Sequence, residues 1–141
     1  AIEGIDPGRV VLELSDTARI RSYDVTRRAI DALRERGVRL AVDDVGAGEI
    51  DMWHILRLDP EVIKLDRHLV ADQQNVCRND ALIRGITTMA RDLGIMVIAE
   101  AIETERERQR LLDLGVEFGQ GYLFGKPEPL QWKSRVLSDP D

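Results

Sequence analysis

The sequence is poor in the residues that build covalent or metal scaffolds. One cysteine, Cys77, stands in 141 residues. That excludes an internal disulfide and any cysteine-based zinc site, and the expected setting is reducing and cytoplasmic. The two histidines, His54 and His68, have nothing at metal-ligand spacing and read as surface or packing residues. No apolar run approaches the ~20 residues of a membrane span, and the first residues lack a basic-then-apolar leader. A net charge of −6 disfavours nonspecific contact with DNA or RNA polymers. An anionic substrate stays open, because bound metal ions can supply positive charge locally. No linker, low-complexity tract or internal repeat interrupts the chain. What remains, 43% hydrophobic and 33% charged, is one globular domain's worth of sequence.

Against that background, acidic residues stand at the ends of apolar, β-branched runs. Leu40-Ala41-Val42 leads into Asp43-Asp44 and then Gly46-Ala47-Gly48. Val97-Ile98-Ala99 leads into Glu100, and Val10-Val11-Leu12 leads into Glu13. Val62-Ile63 leads into Lys64-Leu65-Asp66, and Gly119-Gln120-Gly121 precedes Tyr122-Leu123-Phe124. A charge beside a continuous apolar run is costly to bury unless a partner or a metal stabilises it.

The runs alternate with helical periodicity. Strands are predicted over Val10–Leu14, Val38–Asp43, Glu61–Leu65 and Ile95–Ala99, with a fifth inside Val116–Phe124. Helices are predicted over Tyr23–Arg36, Asp51–Leu58, Asp80–Leu93 and Thr104–Leu114, with a last one after Pro129. Gly37, Gly94 and Gly115 read as helix stops, and Asp51 and Thr104 as N-caps. The helix near Asp80–Leu93 sets Leu82, Ile86, Met89 and Leu93 at spacings of four, three and four. Continuous apolar strands between amphipathic helices argue for an α/β fold with a parallel sheet covered on both faces. Right-handed crossovers then bring every strand's C-terminal end to one side.

Glu13, Asp43, Asp44, Lys64, Glu100 and Gln120 therefore converge on one rim, where α/β folds carry their active sites. Carboxylates gathered there repel one another unless a cation sits among them. All-oxygen ligands suit Mg²⁺ or Mn²⁺, and adjacent Asp43 and Asp44 could reach two ions at once. A two-metal clamp beside a lysine suits phosphodiester hydrolysis. Plainer readings stand beside these. The acidic rim has a plainer reading as helix caps and surface pairs, and Lys64 one as the partner of Asp44 or Asp66. Trp53 with Met52 reads as core or interface, and Thr104–Arg110 as a solvated helix face with charge pairs at four-residue spacing.

At these residues the chain resembles a known family. Leu12-Glu13-Leu14-Ser15-Asp16, Val42-Asp43-Asp44-Val45-Gly46-Ala47-Gly48 and Ile63-Lys64-Leu65-Asp66 look like EAL-domain motifs. So do Ile98-Ala99-Glu100-Ala101-Ile102-Glu103-Thr104 and Gln120-Gly121-Tyr122-Leu123-Phe124-Gly125-Lys126-Pro127. EAL domains are cyclic di-GMP phosphodiesterases on a (β/α)₈-type barrel. The resemblance implies that Glu13 and Asp43 bind one metal, with Asp43 bridging to a second that Asp44 also holds. It makes Glu100 a metal ligand or general base and Lys64 the residue that orients or activates the attacking water. Gln120 would contact metal-bound water or substrate. Asp16 and Glu103 would support the loop after the aspartate pair. The implied reaction opens cyclic di-GMP to the linear pGpG, with Mg²⁺ or Mn²⁺ as cofactor.

The resemblance also places the family's Glu-Ala-Leu segment and an asparagine metal ligand upstream of the portion matched. The expectation is thus the C-terminal part of an EAL domain. That is a partial TIM-like (β/α) barrel of about five βα units, where a barrel of about 250 residues has eight. Such a chain is expected to be incomplete for catalysis and to self-associate through open sheet edges and apolar surface. Asp16 stands where the family usually has glutamate, Val45 where it has phenylalanine, and Ala101 where it has glycine. Gly48-Glu49-Ile50-Asp51 replaces the usual aromatic-serine loop. A degenerate module that binds cyclic di-GMP or a partner protein without hydrolysis is the alternative. A receiver domain also has five βα units, but its acidic pair belongs at the end of the first strand, and here it ends the second.

Overall fold

The computed structural model describes residues 5–15, 20, 22–46, 52–72 and 74–128. Five strands are present: β1 (Val11–Leu14), β2 (Arg39–Val45), β3 (Val62–Leu65), β4 (Met96–Ala99) and β5 (Phe118–Gly119). Five helices join them: α1 (Tyr23–Arg34), α2 (Met52–Leu58), α3 (Arg67–Ala71), α4 (Val76–Leu93) and α5 (Glu105–Asp113). The expected helix after Pro129 and the expected caps and supports at Asp51 and Asp16 lie outside the described residues.

Local chemistry sets the helix ends. The Ser22 hydroxyl accepts from the Val25 amide at the start of α1. At α5 the Thr104 hydroxyl accepts from the Glu107 amide, and the Glu107 carboxylate accepts from the Thr104 amide. This reciprocal pair is a capping box. Gly94 ends α4 at φ +72°, a left-handed turn that a Cβ would oppose. Two features depart from the expected pattern. Asp66 caps an additional short helix, α3, whose Leu69 and Val70 are buried. Helix α4 starts at Val76, four residues before Asp80.

Every strand pairs in parallel with its sequence successor, in the order β1-β2-β3-β4-β5. Crossovers of one hand between consecutive neighbours keep the helices on one face of the sheet, the barrel arrangement. A receiver domain would order its strands 2-1-3-4-5, so that reading is excluded. Leu40, Val42, Val45, Ile63, Leu65 and Ala99 form the strand side of the helix-covered core. Ile30, Ile55, Ile83, Ile86 and Leu111 meet them from the helices. On α4 the buried face is Ile83, Ile86, Thr87 and Ala90. The stripe expected from spacing is buried only at Ile86; Leu82 and Leu93 stand outward, 41% and 49% exposed. All four residues of β3 are buried, as a central parallel strand requires. Among the described residues no helix is long and apolar enough to cross a membrane.

Candidate active site

Alternation along the strands sends Glu13 and Lys64 away from the helix-covered core, onto the face that a closed barrel would enclose. On β2 the register slips. Ala41 and Val42 pair with Val62 and Ile63, but Val45 pairs with Leu65, so β2 carries one extra residue at Asp43-Asp44. This is a β-bulge, and bulges re-aim side chains where simple alternation would send neighbours to opposite faces. Asp44 sits there at φ +57°, and its amide donates to the Asp43 carboxylate at 2.9 Å.

The outcome is a cluster around one ammonium. Lys64 Nζ lies 2.6 Å from Glu100 Oε1, 3.1 Å from Glu13 Oε2 and 3.5 Å from Asp43 Oδ1. Three carboxylates from the ends of β1, β2 and β4 thus meet a side chain of β3 that is only 10% exposed. Burial pushes the Lys64 pKa down. The hydrogen bonds to Glu100 and Glu13 and the Asp43 charge outweigh it and hold the pKa well above the ordinary lysine value. Lys64 is therefore a fixed cation at neutral pH. Within this cluster three acids stand against one base, an excess of two formal negative charges.

Of the other expected site residues, Gln120 follows β5 directly. Its amide donates to the Ala99 carbonyl at 2.8 Å, and its carbonyl accepts from Ile102 at 3.1 Å, which ties it one strand from Glu100. It lines an open groove with Tyr122, Phe124 and Lys126. Gly121 has no room for a side chain, because a Cβ there would strike the Ile102 backbone. Glu103 is exposed and its amide donates to Glu107; the loop it is expected to support lies outside the described residues.

Asp66 turns to its own helix instead of Lys64. It is buried and accepts from the His68 amide at 2.7 Å and the His68 ring at 2.6 Å. His68 is otherwise exposed, as its sequence context implies. Trp53 is half exposed, edge-on to Tyr23 at 5.4 Å, with the Arg57 guanidinium 4.4 Å over its ring. Arg110 departs from the expected solvated face. It turns inward, pairs with Asp80 at 2.6 Å and donates to the carbonyls of Val70 and Leu69. The sequence reading also missed the bulge; its one local signal is two adjacent acids before Gly46.

The donor chemistry fits a hard divalent cation, since Glu13, Asp43, Asp44 and Glu100 offer carboxylate oxygens alone. Among the described residues, however, no three acidic or metal-binding side chains stand close enough together to hold an ion. The carboxylates converge on Lys64 instead of on an open point.

A sequential parallel sheet with acids and a lysine on its C-terminal rim has the arrangement of a barrel-type α/β fold. The EAL domain family matches residues 1–127, and the chain belongs to that family. It is 34% identical over 127 residues to the cyclic di-GMP phosphodiesterase RocR of Pseudomonas aeruginosa, covering 90% of this chain and 32% of RocR. It is 34% identical over 119 residues to the cyclic di-GMP phosphodiesterase NbdA of the same organism, covering 84% of this chain and 15% of NbdA. The chain therefore spans a third or less of these curated relatives. Among solved structures, BlrP1 of Klebsiella pneumoniae in a manganese and cyclic di-GMP complex superposes with a TM-score of 0.79 at 35% identity. That match covers 88% of this chain and 32% of BlrP1. The five parallel βα units thus match an EAL TIM barrel over part of its length.

Proposed function

We propose that this chain forms part of a cytoplasmic EAL domain that hydrolyses cyclic di-GMP to pGpG with Mg²⁺ or Mn²⁺. The observation that carries the reading is the convergence of Glu13, Asp43 and Glu100, from three strands, on Lys64. Glu13, Asp43, Asp44 and Glu100 are the residues that would hold the ions. Bound there, such ions supply positive charge against the phosphodiester and acidify a water. Lys64, held protonated, donates to that water or to a phosphate oxygen and does not act as a base. Glu100, the hydrogen-bond partner of Lys64, would either ligate an ion or accept the water's proton as general base. Gln120 would contact metal-bound water or substrate, and loop support is the role the family resemblance implies for Glu103 and Asp16.

The test is chromatographic detection of pGpG after incubation of the complete barrel carrying this segment with cyclic di-GMP and Mn²⁺. Asp43→Asn, Asp44→Asn and Glu100→Gln each abolish product; full activity in all three overturns the reading. Alone, the 141-residue chain forms no pGpG, since five βα units stand where the barrel has eight.

A second reading, binding of cyclic di-GMP or a partner protein without hydrolysis, is favoured by one observation. No three described side chains come together as a metal site. Calorimetric binding of cyclic di-GMP that persists in EDTA, with no product from the complete barrel, would select it.

A further inference from the structure

We propose that Arg110 of α5 is a positioning residue for the Asp43-Asp44 pair, acting through α3 and the Leu69 side chain. The proposal rests on the phosphodiesterase reading of that pair. The need for an outside support begins in the register of β2. Ala41 and Val42 pair with β3, and so does Val45, but Asp43 and Asp44 fall in the slip between them. Ladder pairing therefore leaves the bulge to be oriented by what holds its two ends.

The lower end is held by the ladder, and the upper end by the corner that follows β3. The Asp66 amide donates to the Val45 carbonyl at 3.0 Å. Leu69, buried in the core, places its Cδ1 where a Cβ on Gly46 would stand. Gly46 lies at φ +102°, a conformation that a side chain would oppose. The position of α3 thus sets where the chain leaves the bulge.

Helix α3 cannot set its own position. Its five residues are far fewer than the ~12–15 that a helix needs to hold by itself. Asp66 caps its start, and its last carbonyls need partners from outside. Arg110 supplies them. Nη1 donates to the Val70 carbonyl at 2.9 Å and Nη2 to the Leu69 carbonyl at 3.3 Å. The Asp80 carboxylate of α4 accepts from Nε at 2.7 Å and fixes the plane of the guanidinium. One side chain thus ties α3 to α4 and α5. Because it grips Leu69 by that residue's own carbonyl, a shift there passes straight to Gly46.

Arg34 is a matched control. At the opposite end of the strands it pairs with Glu61 at 2.8 Å and donates to the carbonyls of Leu58 and Asp59. Arg34→Ala removes bonds of the same kind without touching α3.

Amide exchange of the 141-residue chain is the first test. Arg110→Ala speeds exchange at Asp44, Val45 and Gly46 about tenfold more than at Leu40, Ala41 and Val42 of the same strand, and Arg34→Ala does not. Leu69→Ala reproduces the local pattern, and Arg110→Ala adds little to it, because the two act in series. The second test is turnover by the complete barrel carrying this segment. There Arg110→Ala raises the Mn²⁺ concentration for half-maximal rate about tenfold and leaves KM for cyclic di-GMP within about twofold. Arg34→Ala moves neither. Uniform acceleration along β2, an equal effect from Arg34→Ala, or an unchanged Mn²⁺ requirement in an active barrel overturns the proposal. A wild-type barrel without activity overturns the phosphodiesterase reading, whereas the exchange pattern is read without metal or substrate and still decides whether Arg110 places the pair.

Discussion

Lys64 decides the chemistry of the rim through what it balances. Lys64→Met would leave Glu13, Asp43 and Glu100 facing one another, at a cost of about 2 kcal/mol, allowing for the half-exposed Glu13. Urea unfolding at pH 7 reads that loss. The raised Lys64 pKa fixes the alkaline limb. Its stabilisation is complete below the unfolded lysine value near 10.5 and fades only as pH rises through the higher folded value. Ala101 carries a different strain, at φ +55° immediately after Glu100. Ala101→Gly relieves it and stabilises the fold by about 0.5–1 kcal/mol, seen as a higher midpoint in thermal unfolding. The motifs marked the residues of this rim but not their pairing. Lys64 looked closest to Asp66 in sequence, yet Asp66 is spent capping α3. The partners Glu13 and Glu100 come from flanking parts of the chain, and only strand register brings them near.

Among the elements, α3 is the one the sequence concealed. Five residues give no periodicity to detect, and its Leu69 and Val70 resemble a continuation of the β3 run. Its position nonetheless matters, because Leu69 packs on Gly46, just beyond the Asp43-Asp44 bulge. Arg110 of α5 holds α3 by its last carbonyls while pairing with Asp80 of α4. Arg110→Ala strips those carbonyls and Asp80 of their partner. We expect a loss of about 2 kcal/mol, since both side chains are mostly but not wholly buried. Equilibrium denaturation measures it. The longer elements were legible because their stops and caps are local: Gly37, Gly94 and Thr104 each act within a few residues. The bulge was not, since an extra residue is defined only against the partner strand.

Across the whole molecule the sheet is graded. β3 is buried throughout, β1 is largely exposed, and β5 is reduced to two exposed residues. Amide exchange should follow this gradient, slowest for Val62–Leu65 and fastest for Phe118 and Gly119, with Lys64 protected although it is charged. Equal protection across all five strands would show that something covers the two outer ones. The alternation of runs and helices disclosed the parallel sheet. The sequential strand order was legible only through the motifs' resemblance to a barrel family, since alternation alone also fits a doubly wound sheet. That order bears on synthesis at the ribosome. Each strand docks only on the one made before it, so a nascent chain can add one βα unit at a time. Among these five strands each from β2 onward finds its template already in place.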